Sequence, residues 1–162
     1  YGGKTLTQAG RSNNQRDDVW VGYLKESDIA SRSNDTIAVS FSKQPTTYSI
    51  AAAAYTGVNQ TTPIQSSVVN QVSYGGSSSN PSFSGLSVVN NGYALYAITA
   101  NEHATFTPPS GYTEQYDLND SGNNFRYSAA SRAITANGTE SKTIAMGSER
   151  WGLVAVSLAP TP

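Results

Sequence analysis

Trp151-Gly152-Leu153-Val154-Ala155-Val156-Ser157-Leu158 alternates with a period of two, placing Val154, Val156 and Leu158 on one side and Trp151, Leu153 and Ala155 on the other. Successive side chains of an extended chain point to opposite faces, so this run reads as a half-buried β-strand. Asp35-Thr36-Ile37-Ala38-Val39-Ser40-Phe41 repeats the pattern with Ile37, Val39 and Phe41, and Tyr93 to Thr99 repeats it again. Residues that favour turns lie between such runs: Ser12-Asn13-Asn14, Ser33-Asn34-Asp35, Asn90-Asn91-Gly92, Pro108-Pro109-Ser110-Gly111, Asn119-Asp120-Ser121-Gly122-Asn123 and Asn137-Gly138. Asn and Gly tolerate positive φ, so Asn137-Gly138, between Ile134 and Ile144, is expected to close a hairpin.

This spacing predicts strands near 4–10, 16–25, 35–42, 47–56, 65–73, 82–89, 93–100, 112–118, 124–134, 139–146 and 151–159. Ser49 to Ala54 is helix-friendly by propensity but too short for an ordinary helix, and it reads as a central strand lined with small residues. Many short strands separated by turns mean a sandwich or a barrel. The expectation is one all-β domain over residues 1–162, an antiparallel, jelly-roll-like sandwich of 10–11 strands with little or no helix. Its core should include Leu6, Trp20, Ile37, Val39, Phe41, Ile50, Leu95, Val154 and Val156; only Gly75 to Ser84 looks loose.

The composition narrows the function classes. Charged residues make up 13%, about half the usual share. Hydroxyl and amide side chains take their place, a mixture that suits an extracellular or surface setting. Ten basic and eleven acidic residues give a net charge of −1 with no basic run, which argues against nucleic acid as a partner. Cysteine is absent, so neither a disulfide framework nor a thiolate metal site can form. No apolar run approaches the ~20 residues of a membrane-spanning helix.

Residues with chemical potential are few. His103 is the only histidine; without a Gly-x-Ser-x-Gly elbow it reads as a solvated loop residue. Asp17 and Asp18 are adjacent on a predicted strand, point to opposite faces and cannot form a catalytic carboxylate pair alone. No catalytic residue is expected, and the chain is not read as an enzyme. Asp117-Leu118-Asn119-Asp120-Ser121-Gly122 resembles the first half of a calcium loop, but Ser128 occupies the place of the bidentate carboxylate. A looser calcium site at Asp117, Asn119 and Asp120 is the alternative to an Asx-rich turn, and no other cofactor or metal is expected. Tyr112, Tyr116 and Tyr127 flank one turn; such rings stack on sugars, though more often they form cross-strand pairs. Four acceptor sequons begin at Asn34, Asn59, Asn119 and Asn137, while Asn80-Pro81-Ser82 is excluded by its proline.

An ordered set of motifs spans nearly the whole chain: Tyr1-Gly2-Gly3-x-x-Leu6-Thr7, Val19-Trp20-x-x-Tyr23-Leu24, Ile37-Ala38-Val39-Ser40-Phe41-Ser42, Ala54-Tyr55-Thr56-Gly57-Val58-Asn59-Gln60-Thr61-Thr62-Pro63-Ile64, Pro108-Pro109-Ser110-Gly111-Tyr112-Thr113-Glu114 and Trp151-x-x-Val154-Ala155-Val156-x-Leu158-x-Pro160. The set resembles a β-sandwich module of secreted bacterial proteins, metagenomic surface proteins and some phage structural proteins. The resemblance implies a jelly-roll-like sandwich, a cell-surface, extracellular or virion-surface location, and no catalytic residues. It also implies one or two strands before Tyr1-Gly2-Gly3, which are absent here. The expected function is therefore that of a non-enzymatic structural subunit of a filament or pilus-like surface assembly. Self-association into a homopolymer would proceed by strand complementation between copies, with Tyr1 to Ala9 (Tyr1, Lys4, Leu6, Ala9) as the donor. The alternative is a carbohydrate- or cell-surface-binding module of a larger secreted or phage structural protein.

Overall fold

The computed structural model describes residues 1–13, 16–72, 76–101 and 105–162. Among these, the chain forms β1 (Thr7–Arg11), β2 (Trp20–Tyr23), a short helix α1 (Glu26–Ala30), β3 (Ile64–Gln71), β4 (Ser82–Val88), β5 (Tyr93–Asn101), β6 (Thr113–Asp120), β7 (Phe125–Ala133), β8 (Gly138–Thr143) and β9 (Trp151–Leu158). All strand pairs are antiparallel. A five-stranded sheet runs in the order β3-β9-β5-β7-β6, and β4-β8 and β1-β2 form two-stranded sheets. The protein is an all-β sandwich, with nine strands among the described residues.

The five-stranded sheet is the centre of the fold. On one face Ala94, Tyr96, Ile98 and Ala100 of β5 and Trp151, Leu153 and Ala155 of β9 pack against Phe83, Leu86 and Val88 of β4, closed further by Phe106, Ile144 and Met146. On the other face Val154, Val156 and Leu158 meet Val19, Val58, Ala9, Val21, Tyr55, Tyr93, Leu95 and Ala97. β9 lies between β3 and β5, and all eight of its residues are buried. It is thus buried on both faces rather than half-buried. The cause is visible in its small residues: a Cβ on Gly152 would collide with the Asp17 carbonyl and with Ser12 Oγ, so only glycine lets Ser12 and Asp17 approach so closely.

Several expectations are corrected. Asn137-Gly138 does not close a hairpin, because β7 pairs with β5 and β6 whereas β8 pairs with β4. Asn137 Oδ1 accepts from the Asn90 N–H (2.8 Å), and Asn91 N–H donates to the Ile134 carbonyl (2.8 Å). Asn90-Gly92 and Asn137-Gly138 are therefore twin corners at which the chain changes layers. The hairpin turn lies instead between β6 and β7, where Asn124 takes φ 64°. A five-residue helix, α1, was not foreseen; it has no buried residue and no side-chain cap.

The predicted strands at 35–42 and 47–56 do not form; no ladder reaches either stretch. The core expected from them is exposed: Ile37 (39%), Val39 (50%), Phe41 (45%) and Ile50 (45%). Ala51 to Ala54 is exposed too and is no central strand. Trp20, expected inside, is 47% exposed. Its ring folds back over Gly22, in the space a side chain there would fill, and its Nε1 donates to Gln8 Oε1 at 2.9 Å. Leu6 and Leu95 are half-buried, whereas Val154 and Val156 are buried as expected.

Candidate interaction surface

The two faces of the central sheet are covered unequally. β4-β8 and its flanking segments seal the first, whereas β1-β2 is short and lies over the β3-β9-β5 side of the second. Register places Tyr116 and Leu118 of β6 and Phe125, Tyr127 and Ala129 of β7 on this second face, in line with Ala97 and Val154. Leu118, and Val69 on β3 at the far edge, are 41% and 43% exposed.

Across the β6-β7 side of this face runs an arm, residues 36–56. Among the described residues no backbone–backbone hydrogen bond involves any residue between Ile37 and Thr56. The arm is held at its ends. Gly2 N–H donates to the Thr36 carbonyl (2.9 Å) and Tyr1 OH to Asp35 Oδ1 (2.6 Å), while Arg32 also pairs with Asp35. These two partners hold the Asp35 carboxyl below the usual carboxylate range, Tyr1 contributing most. At the far end Tyr55 packs on Tyr93 (ring centroids 5.0 Å apart) and Val58 bridges to Pro160.

Between the ends the arm touches the sheet through polar atoms. Thr47 Oγ1 donates to Asp120 Oδ2 (2.6 Å), Tyr127 OH donates to Thr47 Oγ1 (3.2 Å), and Ser49 Oγ shares a hydrogen bond with Tyr116 OH. The Thr47 hydroxyl, and after it Asn123, hold the Asp120 carboxyl below its ordinary range. Burial pushes the Tyr127 phenol up. The outcome inverts normal amphipathicity: Thr47 and Ser49 face inward and are half-buried, whereas Tyr48 (57% exposed) and Ile50 face outward. Phe41 and Tyr48 meet ring to ring at 5.3 Å, so the limbs 36–41 and 47–55 fold back at the Ser42-Lys43-Gln44-Pro45 bend. Lys43 is the one charged residue in residues 36–56.

The remaining residues singled out in the sequence scatter. Tyr112 leaves the group of three: it is buried in the first core, packs on Tyr96 (5.6 Å) and donates to Glu140 Oε2 (3.1 Å). Tyr116 and Tyr127 do share a face, and Phe125 stacks on Tyr127 at 6.4 Å and 20°. Asp117 and Asp120 fall in strand β6, not in a loop; Asp117 is clamped by both nitrogens of the Arg126 fork and Asp120 is bound by Thr47 and Asn123. Asn119 lies between them, exposed. No group of three His, Asp or Glu side chains suited to a metal ion occurs among the described residues. His103 lies outside the described residues. Asn34 and Asn137 are exposed at turns, and Asn59 Oδ1 caps its own turn by accepting from Thr61 and Thr62 N–H. Tyr1 to Ala9, the expected donor, is bound within its own chain: Tyr1, Gly2 and Lys4 are tied at the N-terminal turn, Leu6 is half-buried, and β1 pairs with β2.

Sequence reasoning missed the Asp17–Arg150 ion pair, which fastens the segment just before β2 to the residue preceding β9. Asp17 is 1% exposed and its Oδ1 has no hydrogen-bond partner among the described residues. Burial therefore outweighs Arg150 and holds the carboxyl above its ordinary range.

No protein-family model matches this chain, and no curated protein matches it. Among solved structures it is similar to a chain of the tripod (BppUct-A-L) from the baseplate of bacteriophage Tuc2009. The identity is 11%, the match covers 80% of this chain and 82% of that one, and the TM-score is 0.31. At that score the likeness carries neither a fold assignment nor a role. Among the described residues no helix is long and apolar enough to cross a membrane.

Proposed function

We propose that this protein is a non-enzymatic structural subunit of an extracellular or surface assembly, joined to its neighbours by β-strand addition. One observation carries the reading: an arm with strand alternation and a single charge lies unpaired, its large apolar side chains turned to solvent. Thr36-Ile37-Ala38-Val39-Ser40-Phe41 is high in β-propensity, uncharged and free of Pro and Gly, the composition that pairs avidly when exposed. Fully burying a Val, Ile or Phe side chain is worth about 1.5–3 kcal/mol. A subunit that leaves three of them half exposed gains from a partner that supplies a ladder and covers the row. The donor is thereby moved from the N-terminal segment to the arm.

The test is sedimentation and electron microscopy of the purified chain. Ordered polymers are expected from the full chain and none from a chain whose residues 37–55 are replaced by a flexible linker. A full chain that stays monomeric at all concentrations contradicts the reading. A second reading, a carbohydrate-binding module, is favoured by Tyr116, Phe125 and Tyr127 grouped on one face beside Asp120. Saturable binding of a soluble glycan, lost in Tyr116→Ala and retained by the linker variant, would select it. In a host that glycosylates asparagine, Asn34 and Asn137 are the sequons that present an exposed side chain at a turn; an intact mass equal to that of the bare chain would remove this expectation.

A further inference from the structure

If the arm is a donor strand, its acceptor should be an open sheet edge, and the described edges differ sharply. Natural sheets guard open edges with charge, proline, bulges or short length. β6 carries Glu114, Asp117 and Asp120 and a register shift between Glu114 and Tyr116. β8 carries Glu140 and Lys142, and β1 carries Arg11. β2 has only four residues. β4 is interrupted by a register shift between Phe83 and Leu86, with Gly85 at φ 76°. β3, Ile-Gln-Ser-Ser-Val-Val-Asn-Gln, has eight residues and no charged or proline residue. It is the terminal strand of the central sheet, and its pairing with β9 is regular from Ser66 to Gln71. Among the described residues its outer edge makes no backbone–backbone hydrogen bond; only at its last residue is it met by a side chain, where the Gln71 N–H donates to Asn70 Oδ1 (2.9 Å) and Asn70 Nδ2 donates to the Ser82 carbonyl (2.7 Å).

We infer that the β3 edge of one copy accepts the Thr36–Phe41 limb of a second copy. This inference rests on the subunit reading given above. Three observations select a second copy of this chain as the occupant. First, limb and edge match in charge: neither has an ionisable side chain, so contact requires no counter-charge and strands no ion. Second, they match in length. Six residues of strand span about 20 Å, the reach of Ser66 to Gln71. Third, they match in pattern. Val69 is 43% exposed on the second face at the rim of the sheet, and Ile37, Val39 and Phe41 would extend the apolar row of Val154 and Val69 by one strand. The arm that carries the donor limb is also anchored at the opposite end of the sheet. Thr47 ties the arm to Asp120 on β6, four strand spacings or about 19 Å from β3. A contact between two different surfaces is heterologous and propagates head to tail.

The test uses three full-length variants at residues of similar exposure, so that folding is spared: Val39→Lys in the limb, Val69→Lys on β3 and Leu118→Lys on the opposite edge. Sedimentation velocity reads the assembly, and circular dichroism confirms the fold of each. Val39→Lys and Val69→Lys alone should each lose the polymer and sediment as monomers, whereas Leu118→Lys should still polymerise. Mixed in equal amounts, Val69→Lys supplies an intact limb and Val39→Lys an intact edge, so the mixture should stop at a one-to-one dimer. Loss of polymer in Leu118→Lys with retention in Val69→Lys would overturn the β3 assignment while leaving strand addition standing. A wild-type chain that never assembles would overturn the subunit reading itself. Protection of the 36–41 amides in that monomer would show that the limb pairs within its own chain.

Discussion

β9 and the arm carry the same alternation of apolar residues and end in opposite surroundings. All eight residues of β9 are buried between two strands and two layers, whereas Ile37, Val39, Phe41 and Ile50 remain 39–50% exposed with no ladder at all. Alternation specifies which side of a strand is apolar. It does not specify a neighbour. β9 gains its position from Gly152, Ala155 and Ser157, which let a layer close on each face, and from partners on both sides. The arm has one apolar side only, and its polar side, Thr47 and Ser49, is what its own sheet retains.

The largest expected effect tests that contrast directly. Leu153→Ala should cost about 2–5 kcal/mol by urea unfolding, because a buried branched side chain leaves a cavity. Ile50→Ala, on the arm, should stay within about 0.5 kcal/mol in a dilute, unassembled sample. Equal losses would mean that the arm belongs to the core. Next in size is Gly152→Ala, expected to cost about 1–3 kcal/mol because backbone and Ser12 stand where the methyl group would go.

A smaller effect concerns pH. The Asp17 carboxyl is raised above its ordinary value in the fold, so the folded state binds its proton more tightly than the unfolded chain does. Its contribution to stability is fully present below the unfolded value and is lost as pH rises through the folded one. The stability of the wild type relative to Asp17→Asn should therefore rise as pH falls through this window. A difference that stays flat or falls would show that Arg150, not burial, dominates. The smallest effect is expected at Thr47→Val, which removes the hydroxyl bonded to Asp120. Global stability should change by about 1 kcal/mol or less, while trypsin cleavage after Lys43 should accelerate.

The fold class and most strands were legible because periodicity and turn residues speak directly to local geometry. β5, β7 and β9 emerged close to their predicted limits. What pairs with what was not legible. Asn137-Gly138 reads equally well as a hairpin and as a corner between layers, and the hydrogen bonds to Asn90 and from Asn91 to Ile134 that decide the matter span more than forty positions. Trp20 was misplaced for a related reason: the vacancy over Gly22 that its ring occupies is a property of the folded strand. Of the candidate surface, Tyr116 and Tyr127 were visible in the sequence. The anchors Thr47 and Ser49 were hidden by their commonness, and the one available signal was the dearth of charge from Thr36 to Thr56.

Native-state hydrogen exchange on the dilute monomer and on the assembled protein probes the unpaired arm most directly. The β9 amides should be protected in both samples. The amides of residues 37–41 should exchange nearly freely in the monomer and become protected on assembly. Protection of 37–41 in the monomer, or free exchange of the same amides in the polymer, would contradict the arm's role as a strand completed by a neighbour.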